Sequence, residues 1–267
     1  MINFIIALLL LLLPTPVLAG SLFNPVEPVL AQTTQPSEVT QLRQSYNQHL
    51  EVYRNQEKSF QIAFDQHQSL NTLASLDELL LKTKELAITR DLVLIDYFNL
   101  LQLNLQQATG VELSLKTQYL QDLELNLTFL DQHRQQLSQV ATQEQLRSSL
   151  SDFANLVDPE GFSQEILALL ALAKLQNVYD LVVPLKADVD TWLVDQGVAD
   201  SPSNQRATAQ VEQTLQQANN QLNSLWLEAA QARQLSGIYD NLTEKLNPSY
   251  VALSQTLIYL TELTDFN

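Results

Sequence analysis

Three histidines are the residues in this chain best suited to acid–base or metal chemistry: His49, His67 and His133. His49 and His67 stand 18 residues apart in one helical stretch. Five turns of helix put them on one face but roughly 27 Å apart along the axis, too far to share an ion. His133 reaches either of them only if two helices pair. No HExxH motif, no helical His pair at i and i+4, and no Glu-x-x-His pair of the carboxylate di-iron bundles occurs. Ordinary hydrogen bonding at helix seams is therefore the expected role of all three.

Carboxylates are dense at Asp158/Glu160 and at Asp188/Asp190, but neither cluster has the ligand spacing of a calcium loop. They read as solvated acidic turns. There is no glycine-rich phosphate loop and no Gly-x-Ser-x-Gly elbow. A Ser/His/Asp set is not recognisable by local signature, although such a set is defined in space and escapes a search by order. Cysteine is absent, which excludes thiol catalysis, thiolate metal sites and lipid attachment to an N-terminal Cys. No catalytic, cofactor-binding or metal-binding residue is assigned, no cofactor is implied, and the chain is not expected to be an enzyme. Tyr46, Tyr53 and Phe60 recur every seven residues and are expected in the core, as are Trp192 and Trp226.

The formal charge of -16 argues against nucleic acid as a partner, since clustered Lys and Arg would be required. Few Gly and Pro, with abundant Leu, Gln, Ala and Glu, argue against a turn-rich β fold and for helices. Phe4 to Leu13 is an uncharged apolar run cut short by Pro14 and Pro16. At about ten residues it is too short for a spanning helix and fits the hydrophobic region of a signal peptide. The tetrapeptide PVLA occurs twice, and cleavage is expected after Ala19, with Ala31 as the alternative. No stable membrane span is expected after cleavage, and the body is expected to be secreted or held at the cell surface.

Residues 20–37 are proline-rich and expected to be an extended tail, with Ser37 capping the first helix. That helix, about 38–70, carries a seam of alternating four and three: Leu42, Tyr46, His49, Tyr53, Gln56, Phe60, Ala63, His67, Leu70. Ser75 and Glu78 form a capping box for a second helix ending near Thr109-Gly110. Its DLVLIDYFNLLQLNLQQ stretch is apolar on nearly every side and expected to be surrounded by neighbours. A third helix covers about 112–139, and Thr142 to Gln145 caps a short one reaching Val157. Asp158-Pro159-Glu160-Gly161 is read as a break and a soft boundary between a bundle over 38–157 and a helical portion over 162–265 packed with it. The next helix, about 163–196, is expected to kink or break at Pro184. A polar helix follows over about 204–236, stopped or bent at Gly237, and Asn247-Pro248 starts the last one. The expected fold is all-α, an elongated antiparallel bundle of about six long helices with coiled-coil-like packing.

LLQLNLQQATG is similar to the helical hairpin ends of outer-membrane efflux proteins. The chain lacks the alternating strands of their barrel, so their function is not carried over. The combination of PVLAQTT, QSYNQHLEVYRNQEKSF and KTKELAITRDLVLIDYFNLLQLNLQQATGV resembles uncharacterised exported helical proteins of small-genome, candidate-phylum bacteria. That resemblance implies export and helices and no activity. The expected function is an exported scaffold or protein-interaction module, engaging protein partners or itself. A binding module holding a small ligand or client between helices is the alternative.

Overall fold

The computed structural model describes residues 38–156, 158–231 and 241–264. The expected signal peptide, proline-rich tail, Ser37 cap and Gly237 stop lie outside them. Among the described residues the fold is all-α, with six long helices and one short one. They are α1 (Glu38–Leu70), α2 (Leu73–Gln107), α3 (Leu113–Gln139), α4 (Gln143–Leu156), α5 (Pro159–Asp195), α6 (Pro202–Gln231) and α7 (Leu242–Thr264).

The turns show why the helices stop where they do. Asn71 takes a left-handed φ of 46°, which Asn tolerates better than most residues, and reverses the chain after α1. Thr72, not Ser75, then caps α2: the Ser75 amide donates to Thr72 Oγ1 and the Thr72 amide to Ser75 Oγ. The helix therefore starts three residues before the expected Ser75/Glu78 box, with Ser75 in the role expected of Glu78. Gly110 turns the chain into α3 at φ 80°, and a Cβ there would lie 2.9 Å from the Ala173 carbonyl oxygen. Lys116 Nζ donates to the Gln106 and Ala108 carbonyls at the end of α2. Lys84 Nζ does the same for Ser138 and Val140 at the end of α3. In each case a neighbouring helix supplies a cation to carbonyls that have no partner in their own helix.

The cap of α4 forms as expected, between Thr142 and Gln145. Three expectations fail. Asp158-Pro159-Glu160-Gly161 begins α5: Asp158 accepts from the Gly161 amide and Pro159 takes the first helical position, where its missing N–H goes unneeded. Of the kink or break expected at Pro184, the break does not occur: α5 runs 37 residues, or roughly 55 Å along its path, through it. Pro184 is exposed, and the buried Val182 and Val189 anchor the helix on both sides of it. Pro248 does not start α7, which begins six residues earlier, because Leu246 packs on the main core and holds the turn before the proline. Gly197, at φ 68°, ends α5 where expected, with Val198 N–H bonded to the Leu193 carbonyl and Gly197 N–H to that of Val194.

α1 with α2, α2 with α3, α5 with α6 and α6 with α7 pair antiparallel. His67 meets Ser75 and His49 meets Asp96 across α1 and α2. Lys84 and Asp91 of α2 meet Ser138 and His133 of α3. Gln176 and Lys186 of α5 meet Trp226 and Glu212 of α6, and Thr214 and Glu228 of α6 meet Thr256 and Lys245 of α7. The main core joins Phe98, Leu101 and Leu105 of α2 to Leu123 and Leu130 of α3, Ile166 and Leu169 of α5, and Leu222 and Leu225 of α6. A second core lies further along α5, where Val182, Val189 and Leu193 meet Val211 of α6 and Leu260 and Leu263 of α7. α5 and α6 thus run through both cores. α1 rests on α2, and its expected seam is the less exposed face, with Tyr53 and Ala63 buried and Leu70 the exception.

Candidate functional site

The apolar run of α2 carries two buried carboxylates: Asp96 gathers a serine and a histidine from α1, and Asp91 a histidine from α3 that in turn meets a serine of α4. Asp96 Oδ2 accepts from Ser45 Oγ at 2.9 Å and lies 2.6 Å from His49 Nδ1, both on α1. Asp91 is fully buried. Its Oδ2 lies 2.5 Å from His133 Nδ1 of α3, and its Oδ1 accepts from Arg90 Nη2 at 2.8 Å and Nε at 3.1 Å. The far nitrogen of His133, Nε2, is 3.0 Å from both the Oγ and the carbonyl oxygen of Ser149 on α4. Around this group the imidazole stacks on Phe129 and tilts against Phe153, while the Arg90 guanidinium lies 3.3 Å above the Phe153 ring centroid.

Asp91, His133 and Ser149 thus form the connectivity of a charge-assisted hydrolase triad: carboxylate to Nδ1, Nε2 to hydroxyl. Two observations point away from that chemistry. The carbonyl oxygen of Ser149 can only accept, so its contact with Nε2 is satisfied by an N–H, whereas a general base needs a free lone pair there. All three side chains are buried, and Ser149 lies inside a helix whose amides are spent on its own turns. The arrangement instead ties three helices through one carboxylate: Asp91 from α2, His133 from α3, and Ser149 and Phe153 from α4. Such a group is stable only when every member is paired, which is the case here.

The remaining expected residues are dispersed. His67 Nδ1 meets Ser75 Oγ at 3.0 Å. Asp158 caps α5, Asp190 pairs with Lys186 at 2.6 Å, and Asp188 is exposed. Tyr46 packs on Tyr97, and Trp226 donates its indole N–H to Gln176 at the rim of the main core. Among the described residues no group of three His, Asp or Glu side chains converges as a metal would require. Neither Asp91 nor Asp96 belongs to a local motif that sequence analysis could assign. A signal for Asp91 was available: an acid within the apolar register of α2 needs a buried partner, and His133 is the one histidine on α3.

Two hollows open on the surface. One, of about 420 Å³, lies between α3 and α4 and is lined by Gln136, Gln139, Val140, Gln145, Ser148, Ser149 and Asp152. The other, of about 320 Å³, lies between α5 and α6 beside Asp190, Leu193 and Glu212. Both are broad, with wide mouths, unlike the enclosed apolar pockets that hold small molecules.

A larger apolar feature follows the seam between α5 and α7. Val178, Val182, Leu185 and Val189 form one stripe at spacings of four and three. Val182 and Val189 are buried in the second core, while Val178 and Leu185 are left exposed, and Leu181 beside them is 71% exposed. On α7, Tyr250, Leu253 and Leu257 form the matching stripe. Leu253 is buried in a cluster with Ala218 and Ala252, on which Leu175 and Tyr179 of α5 pack. Tyr250, 60% exposed, and Leu257 flank it in the open. α5 also holds the one described helical region long and apolar enough to cross a membrane by length and composition, a third of which is buried in the fold. Comparison with known proteins found no matching family model, no matching curated protein and no matching solved structure.

Proposed function

We propose that this chain is an exported helical scaffold or protein-interaction module that engages a protein partner along the α5–α7 seam. The observation that carries this reading is the exposure of Val178, Leu181, Leu185, Tyr250 and Leu257 along one seam of a strongly acidic chain. Isolated exposed apolar side chains are ordinary, but a continuous row of them marks an interaction surface. The buried Asp91–His133–Ser149 group supports a non-catalytic role, because its Nε2 faces a carbonyl and its histidine and carboxylate are closed off from solvent. Export rests on the apolar Phe4–Leu13 run and the PVLA sequences after it. A photo-crosslinking amino acid at position 181, in the cells that make the protein, tests the seam directly. It is expected to give a covalent adduct with a protein, and irradiation that yields none removes the reading. Mass spectrometry of the same material is expected to find an N-terminus at Gly20 or Gln32; an intact Met1 removes export.

A further inference from the structure

We infer that the partner at this seam is a second copy of the chain, docked across a two-fold axis at Leu181 with the two α5 helices antiparallel. The inference rests on the reading of the seam as a protein-docking face and adds the identity of the partner. Its basis is the pattern of α5 about Leu181. Lys174 lies two turns before it and Asp188 two turns after it, with Val178 and Leu185 between. Steps of seven keep all of these on one side of the helix. Lys174 and Asp188 are exposed, and neither is in an ion pair or side-chain hydrogen bond with another described residue. Asp180, within the same stretch, lies off this face and accepts from Gln176. Lys186 also points elsewhere, toward Asp190 and Glu212.

An antiparallel two-fold arrangement sets Lys174 of one copy against Asp188 of the partner subunit, twice over. It also sets Val178 against Leu185 of the partner subunit, with the Leu181 side chains meeting on the axis. A self-complementary patch of this kind is what a two-fold interface requires. A parallel arrangement would oppose like charges. Two such acidic copies can also approach there without opposing carboxylates, because none lies between Lys174 and Asp188 on that face of α5. The five exposed apolar side chains of each copy supply the apolar centre of such an interface, and the polar rim has to bring the whole to the roughly 1,200 Å² or more of specific dimers.

Sedimentation equilibrium of the exported chain tests this, with circular dichroism confirming that each variant is helical. The wild type is expected to dimerise at concentrations below about 100 µM. Lys174→Glu and Asp188→Lys are each expected to weaken the dimer about tenfold at low salt, and the double variant to restore it. Leu181→Asp is expected to abolish it. A wild type that stays monomeric, or a double variant no better than either single one, overturns the inference. The crosslinker at position 181 separates this failure from that of the broader reading. An adduct with another copy supports both. An adduct with a different protein overturns self-association and leaves the docking seam standing. An adduct within the same chain, or none, overturns both.

Discussion

His133 and Asp91 lie 2.5 Å apart, Nδ1 to Oδ2, with both side chains sealed from solvent where three helices meet. Removing one member of such a buried pair leaves a polar group with no water to turn to, which typically destabilises by about 3–5 kcal/mol. Asp91→Ala and His133→Ala are each expected to lose that much in urea denaturation followed by circular dichroism. Replacing both at once by apolar residues of similar volume, Asp91→Leu with His133→Phe, is expected to recover part of the loss, because neither buried member is then stranded and only the part-exposed Arg90 loses its carboxylate. Single variants within 1 kcal/mol of wild type would show that the pair is not what joins α2 to α3.

Ser149 separates a structural from a catalytic reading of the same group. Its carbonyl oxygen remains an acceptor for His133 Nε2 whatever the side chain is. Ser149→Ala is therefore expected to cost about 1 kcal/mol or less, the ordinary net value of one hydrogen bond. Wild-type protein is expected to remain unlabelled by a fluorophosphonate, which reports activated serines. Stoichiometric labelling lost on Ser149→Ala would reverse the assignment of the hydrogen on Nε2.

The helix α1 should be the first part of the fold to open. Only Tyr53 and Ala63 of its 33 residues are buried, and its side-chain ties to α2 include the His49 and Ser45 contacts with Asp96, that of His67 with Ser75 and the packing of Tyr46 on Tyr97. Amide exchange is expected to be faster along α1 than along α2, whose Phe98, Leu101 and Leu105 belong to the main core. His49→Ala is expected to speed exchange in α1 while leaving α6 and α7 unchanged. Equal protection in α1 and α2 would mean that the two open as one unit.

Helices and their order were legible because each long helix carries its own periodicity and its own end signals. The seam of α1 shows this, as do Gly110 and Gly197, both at the positive φ expected of a glycine that ends a helix. What was not legible depended on packing. Thr72 and Ser75 are both competent caps, and the choice between them follows from how soon Asn71 reverses the chain. Pro184 reads as a kink or break and Pro248 as a helix start because proline is costly inside a helix, yet both are exposed and neighbouring side chains fix the turns beside them. The Asp91–His133–Ser149 group uses three helices and residues up to 58 positions apart, so no local motif announces it. The open seam was hidden for a related reason. Leu181 and Val182 look alike in the sequence, and only the placement of α7 makes one exposed and the other core.

Tyrosines give the fold an alkaline limit. Burial pushes the Tyr46 hydroxyl up to about 12, with Arg54 partly opposing, and burial raises Tyr53 as well. Tyr119 is raised by burial and by Glu165, to which its hydroxyl donates at 3.2 Å. A phenol raised on folding stays neutral in the native state while its unfolded counterpart ionises near pH 10. The stability it contributes is therefore whole below pH 10 and lost as pH rises from there through about 12. Urea midpoints are expected to hold steady to pH 9 and fall at pH 11. Tyr46→Phe is expected to flatten that fall, because phenylalanine has no proton to lose. A midpoint independent of pH between 9 and 11 would refute the assignment.

Pro184 is the place where a single substitution should strengthen the molecule. It lies inside α5 with no N–H to give the Asp180 carbonyl four residues earlier, and its ring presses on that turn. The helix nonetheless continues, held by Val182 and Val189 in the second core. Pro184→Ala supplies the missing donor and removes the clash without disturbing a packed side chain, since position 184 faces solvent. The difference in helix propensity sets an upper bound of about 3 kcal/mol, reduced because proline also restricts the unfolded chain. A gain of about 1–2 kcal/mol in urea denaturation is expected, with higher protection of the amides around 184 in hydrogen exchange. A loss of stability instead would show that α5 is shaped to the proline, and that Val178 and Leu185 keep their place on the seam because of it.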